Sequence, residues 1–327
     1  MKKGSLKQIK VMIAVSLMFV FCTGLVSMAA AKQDYPRRPI RIICPWGVGG
    51  GSDTLVRKTG DLLKDILGVP VVVSNLPGGY GATGLGEFMT KPADGYTVMQ
   101  LTVSSLPLFY GSKAKYSDSE VKFLAQVHEQ SSTIFVNPDL GWETAEEMLE
   151  AIKANPDKYT MASSTPLDAP SGERIVYNHF KENGYDMKVV VYSKPSERFS
   201  SVMGGHNDIL YEQLGDVKGY VDAGKLQPLM HLAKERSSYM PNIQCSAEVG
   251  FEGLGSIVAN ARGYLVKAGT PDYAFNTLQE AMHEMVKTKE WIEYMESLMM
   301  DPEQSWASGA EMKQLWKAKA KGRGLIK

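Results

Sequence analysis

The chain has 327 residues, 44% of them hydrophobic, and carries 36 basic and 36 acidic side chains, so its formal net charge is zero. That balance supplies no basic field for a nucleic-acid backbone. The length exceeds what one compact core usually holds, so two lobes of roughly 150 residues are expected.

The first residues bear on where the protein works. Lys2, Lys3, Lys7 and Lys10 precede an apolar run from Val11 to Val26 that closes on Ala29-Ala30-Ala31. This is the layout of a secretory signal peptide, residues 1–31, cleaved after Ala31. The run is shorter than the ~20 residues of a spanning helix, and no later segment is long and apolar enough to cross a bilayer. A lipoprotein anchored at Cys22 would need small residues where Val20 and Phe21 stand. Cleavage removes four lysines and no acid, which leaves a small acidic excess. Cys44 and Cys245 remain, too few for a disulfide scaffold, and are read as buried thiols or an incidental pair.

From Pro39 onward, short apolar runs alternate with amphipathic stretches, which predicts an α/β protein with mostly parallel sheets. Ile40 to Cys44 reads as a strand and Gly47 to Gly51 as its turn. Ser52 reads as the cap of a helix with Leu55, Thr59, Leu62, Leu63 and Ile66 on one face, ended by Gly68. Strands come next at Val69 to Ser74 and Tyr96 to Leu101, with turns at Pro77 to Gly81 and Pro92 to Gly95. The pattern restarts beyond Asn137-Pro138: a helix from Glu143 to Ala154, a strand from Tyr159 to Ala162 and a helix from Ser171 to Glu182. Three more strands are read at Lys188 to Tyr192, Asp208 to Tyr211 and Leu226 to Leu232, and a last one at Gly263 to Lys267. Gly269-Thr270-Pro271 then opens a nearly continuous helical tail from Asp272 to Ala320. Its Met and aromatic stripe (Leu278, Met282, Met285, Trp291, Tyr294, Met295, Leu298) reads as core packing.

Cys44-Pro45-Trp46-Gly47-Val48-Gly49-Gly50-Gly51-Ser52-Asp53 is the most informative stretch. Three consecutive glycines between a strand end and a helix start leave backbone N–H groups available to an anion, carboxylate or phosphate. No Gly-x-x-x-x-Gly-Lys motif is present, which disfavours a nucleotide phosphate. Gly79, Gly81 and Gly84 form a dinucleotide fingerprint after a strand, but the acidic residue expected at the end of the next strand is replaced by Met99, Gln100 and Leu101, so no cofactor is assigned. The histidines at 128, 179, 206, 231 and 283 lack metal-ligand spacing, and no Gly-x-Ser-x-Gly turn occurs, so neither a metal site nor a catalytic constellation assembles.

Several landmarks together resemble one family. They are Tyr35-Pro36-Arg37-Arg38-Pro39-Ile40-Arg41, the Pro45-to-Asp53 loop, Pro70 to Gly79, Lys91-Pro92-Ala93-Asp94-Gly95-Tyr96-Thr97, Gly204-Gly205 before Asp208, Ala223-Gly224-Lys225-Leu226, Ala247 to Phe251 and Ala268-Gly269-Thr270-Pro271. In this order the chain resembles the substrate-binding proteins of tripartite tricarboxylate transporters, the Bug family. The resemblance implies a periplasmic-binding-protein-like (type II) clamp of two α/β lobes with a ligand cleft between them. Residues 32–136 and 260–327 would form domain 1, and 137–259 domain 2. It implies a monomeric periplasmic receptor, not an enzyme, that captures a small organic carboxylate and passes it to two integral membrane subunits. The ligand carboxylate would be held by Gly49, Gly50, Gly51 and Ser52 on one side and by Ser163, Ser164, Thr165 and Ser171 on the other. Trp46 would cover the ligand, and Asp53, Gly78, Gly79, Ser104 and Tyr192 complete the candidate set. The chain departs from the family pattern at Ser163 to Arg174, which is longer than usual and has Arg174 where His is common. Arg174 could take a second carboxylate bidentately or be an ordinary surface arginine. The rival readings are an exported hydrolase using Ser163 or Ser171, which lacks an evident base, and a sensor that hands its closed state to a receptor.

Overall fold

The computed structural model describes residues 35–112, 114–164 and 171–326, apart from the side chains of 303 and 304. The signal segment and Thr165 lie outside the described residues. The chain divides after Arg37, and the unit from Arg38 onward carries every described strand and helix.

Twelve strands are described: β1 Ile40–Cys44, β2 Val71–Asn75, β3 Thr97–Thr102, β4 Val121–Gln130, β5 Thr133–Val136, β6 Thr160–Ser163, β7 Lys188–Val191, β8 Ile209–Glu212, β9 Gln227–His231, β10 Gln244–Cys245, β11 Asn260–Lys267 and β12 Ala307–Ser308. The α-helices are α1 Gly51–Leu67, α2 Ala82–Met89, α3 Ala145–Ala154, α4 Gly172–Glu182, α5 Pro195–Met203, α6 Leu214–Asp222, α7 Leu254–Val258, α8 Asp272–Met285, α9 Lys289–Ser297, α10 Pro302–Ser305 and α11 Gly309–Gly322.

The strands form two six-stranded sheets, ordered β12-β4-β11-β3-β1-β2 and β10-β9-β5-β8-β6-β7. Their arrangements correspond. β1 lies between β2 and β3 in parallel, as β6 lies between β7 and β8. Each parallel trio then meets an antiparallel neighbour, β11 in the first sheet and β5 in the second. The expectation of mostly parallel sheets is therefore corrected to mixed ones. β5 and β11 each enter their sheet directly from the other one, through Ser131-Ser132 and Ala259, so their direction is set by that passage and not by a crossover helix within the sheet. The chain passes from the first sheet to the second at Ser131 and Ser132, a few residues ahead of the boundary read at 136, and comes back at Ala259.

Each sheet carries its own core. Ile43, Phe88, Met99, Leu101, Phe123 and Trp316 pack in one cluster, and Ile134, Met148, Ile152, Met161, Phe180 and Met230 in another. The helical tail contributes most of its stripe to the core, for Leu278, Met282, Met285, Trp291 and Met295 are buried while Tyr294 and Leu298 are half-buried. It is broken where the sequence suggested continuity: β12 lies at 307–308, pairs with β4, and ends at Ser308, whose side chain and Glu311 form a capping box for α11. Cys44 and Cys245 are buried free thiols in different sheets, so they do not pair.

Gly309, the first residue of α11, is buried against β4, and a Cβ there would fall 2.0 Å from the Phe123 carbonyl oxygen. Backbone cannot give way as a side chain can. Gly309→Ala is expected to lower stability by about 2–3 kcal/mol, checked by urea unfolding against wild type.

Candidate functional site

The first Gly-rich loop runs from the end of β1 into α1. Gly49 needs glycine for its backbone, with φ of 83°, whereas a Cβ on Gly50 would meet only the Gly47 carbonyl at 3.7 Å. Gly50 is the N-cap of α1 and provides no side-chain cap; Ser52 lies buried inside the first turn. The expected Ser52 cap is thereby corrected, because the helix begins two residues earlier than the capping pattern suggested. The loop is organised instead by Asp53, 3% exposed. Its carboxylate accepts from the Gly49 N–H at 2.9 Å, from Asn75 Nδ2 at 2.8 Å and from Arg57 Nε at 3.0 Å. Asn75 Nδ2 also donates to the Trp46 carbonyl, which ties β2 to the loop. The N–H groups of Gly50, Gly51 and Ser52 find no acceptor among the described residues, as the first N–H groups of a helix have no intrahelical partner. The Trp46 indole N–H is buried with no partner.

Gly78 and Gly79 belong to the neighbouring turn before α2. A Cβ on Gly78 would stand 2.6 Å from Thr83 Oγ1, and a Cβ on Gly84 would stand 3.0 Å from that of Pro45. Gly81 and Gly84 pack against Pro45 of the first loop, whereas Gly78 and Gly79 meet Thr83 and Ala82 of their own turn and helix.

The second loop leaves β6 and enters α4, whose N-cap is Ser171, its hydroxyl accepting from the Arg174 N–H. Here too an acid sits in the first turn. Glu173, 4% exposed, accepts from the Ser163 hydroxyl at 2.9 Å and from the Ser164 N–H and hydroxyl at 3.0 and 2.8 Å. Arg198, 5% exposed, donates to Glu173 at 3.0 Å, to the Tyr211 carbonyl at 3.1 Å and to Glu212. Burial raises the Glu212 carboxyl, against the pull of Arg198.

A polar cleft of about 180 Å³ is lined among others by Ser104 and Asn260 from the first-sheet side and by Ser164, Ser171, Tyr211 and Gln213 from the other; Trp46 and Gly49 to Asp53 are not part of its wall. The structure thus brings Ser104, Ser164 and Ser171 together. Tyr192 is placed elsewhere: its hydroxyl donates to Asn207 at 2.5 Å and its ring packs on the second sheet's core. Arg174 lies over Tyr177, with Nη1 buried and unpartnered. Glu173, Arg198 and Glu212 went unread in the sequence; the one signal was an acid two residues past a Ser at a helix start, the same pattern as Asp53 after Gly50 and Gly51.

Two mixed sheets are joined by two short passages, with a polar cleft lined from both. The family model described as "Tripartite tricarboxylate transporter family receptor" matches residues 55–326, and the chain belongs to that family, which is one of receptors and not of enzymes. Protein BugT of Bordetella pertussis is 27% identical over 247 residues, 73% of this chain and 74% of that protein. A TctC solute-binding protein from Polaromonas superposes with a TM-score of 0.75 at 22% identity, over 89% of this chain and 98% of that one. MatC from Rhodopseudomonas palustris, solved with bound malate, superposes with a TM-score of 0.66 at 18% identity, over 90% and 100%.

The Arg57 guanidinium, and after it the Gly49 N–H, holds the Asp53 carboxyl down at about 2, below its ordinary 3.8. A carboxyl depressed on folding stabilises the protein above its unfolded value, and that contribution is lost as pH falls through the folded one. Wild type is therefore expected to lose stability between about pH 4 and pH 2 more steeply than Asp53→Asn, measured by thermal unfolding across that range.

Proposed function

We propose that this protein is an extracytoplasmic, monomeric receptor that binds a small organic carboxylate in the cleft between its two sheets and delivers it to the membrane subunits of a tripartite transporter. The observation that carries this reading is the cleft itself, with hydroxyl and amide side chains converging from both sheets. Such a wall suits an acid that must exchange water for several hydrogen bonds at once, since charge-assisted bonds contribute ~1.5–3 kcal/mol each and offset its desolvation. Malate in MatC gives the size of acid to try first. Gly50, Gly51 and Ser52 would offer backbone N–H groups, Ser104 and Ser171 hydroxyls, and Arg174 a second charge for a diacid. Ser163 and Ser164 act through Glu173, which already takes their donors.

The two lobes would comprise 38–130 with 260–326, and 133–259, rotating about Ser131-Ser132 and Ala259. Tyr239, whose hydroxyl donates to the Met300 carbonyl at 3.3 Å, and Met299, packed on the second sheet's core, would make the contact that closure strengthens. The membrane partner would read the closed form, a hinge-type population shift. No helix among the described residues is long and apolar enough to cross a membrane, and the leader-like segment supports export to the periplasm.

Native mass spectrometry of freshly purified protein, with a thermal-shift screen of malate and other di- and tricarboxylates, tests the reading. A bound acid is expected to leave unaltered in one-to-one amount and, at a hundred times its dissociation constant, to add ~2.7 kcal/mol of stability. Ser104→Ala should weaken it by about tenfold, and solution scattering should show compaction on binding. Turnover of the acid, or saturation with no change of shape, would contradict the proposal.

A further inference from the structure

Arg262 stands in the middle of β11, and its directly opposed neighbours are Thr102 on β3 and His128 on β4. Opposed residues project from one face of a sheet, so the three side chains form a row across three strands. Asn260, two residues along the same face, lines the cleft. The row reaches the start of α1: a Cβ added to Gly51 would stand 3.3 Å from Arg262 Nη2. The guanidinium thus lies close against the first residue of the helix.

The charge of this arginine has no counterpart. Nη1 donates to His128 Nε2, while Nε is buried without a partner, as is the Thr102 hydroxyl, on a residue 5% exposed. Among the described residues no carboxylate forms an ion pair with it; Asp216 acts on it through space. His128 adds no negative charge, since its complete burial and then Arg262 itself keep the imidazole neutral. The start of α1 brings further positive character. Arg57 and Arg198, by contrast, each bond carboxylates. A guanidinium does not shed its proton, and a largely buried one left unpaired is costly.

We propose that Arg262 is the charged anchor of the ligand, and that the anionic end of an organic carboxylate lodges against its Nη2 and the uncapped N–H groups of Gly50 and Gly51, with the Thr102 hydroxyl beside it. The inference rests on the receptor reading and adds the residue that supplies the charge. The ligand must then be anionic at that end, so an amide or ester of the same shape is rejected, and the bound acid completes a pair that the empty protein lacks.

The test compares wild type, Arg262→Met and Arg262→Lys by calorimetric titration with whichever acid of a malate-containing panel gives wild type its largest thermal shift, and with the matching amide. Arg262→Met is expected to bind the acid at least about tenfold more weakly, and Arg262→Lys to fall between, while all three bind the amide equally poorly. Without ligand, Arg262→Met should melt within a few degrees of wild type or above it, since no internal ion pair is lost. Equal affinity of wild type and Arg262→Met for the acid overturns the anchor and leaves the receptor reading standing. Failure of wild type to bind any acid overturns both. An unliganded Arg262→Met and Arg262→Lys that both melt far below wild type mark a structural arginine and overturn the anchor.

Discussion

A buried carboxylate in the first turn of a helix is the interaction on which both halves of this protein depend. In the first, Asp53 gathers the Gly49 amide, Asn75 and Arg57; in the second, Glu173 gathers Ser163, Ser164 and Arg198. Each acid lies where the helix dipole favours it; Glu173 receives donors from the strand end just before it, and Asp53 from its own loop and from the end of β2. Charge buried in this way persists only when paired and bonded, so each loop has one satisfactory arrangement. The result is two stiff strand-to-helix corners, the second of which lines the polar cleft.

This placement separates what is rigid from what can move. The acids are committed to their own loops, leaving the outermost amides of α1 and the hydroxyls of Ser104 and Ser171 at or near the cleft. The two halves are joined by the two residues between β4 and β5 and by the return at Ala259. Short links between stiff bodies are what the proposed hinge would use to absorb a change of angle while the corners keep their geometry. The tail adds a further touch point at Met299 and Met300, where the first half meets the core and Tyr239 of the second.

Much of the fold was legible. β1 fell on Ile40 to Cys44 as read, Gly68 ends α1 in a left-handed conformation, and Ser171 caps α4. These are local features, set by propensity and capping chemistry. What stayed hidden depends on partners far along the chain. No element was assigned between Leu101 and Asn137, yet β4 is the longest strand described; its Gln126 and His128 are polar because they serve Trp316 and Arg262, more than a hundred residues away. β12 is two residues long and exists only through pairing with β4. At the site, the glycines and serines announced themselves by composition, but their use did not. Ser52 looked like a cap and is not, Tyr192 is occupied by Asn207, and Ser163 and Ser164 serve an internal acid. Arg262 fell just outside the last strand as read, which began at Gly263, and its meaning appears only with Gly51 and His128 in place.

A co-crystal structure with the acid that stabilises the protein most is the direct test of the central claim. The account requires density for that acid between Ser104 and Asn260 on one side and Ser171 and Gln213 on the other, with its carboxylate toward the start of α1 and Asp53 and Glu173 still bonded to their own loops. An acid seated outside this cleft, or one that displaces Asp53 or Glu173 to make room, would contradict it.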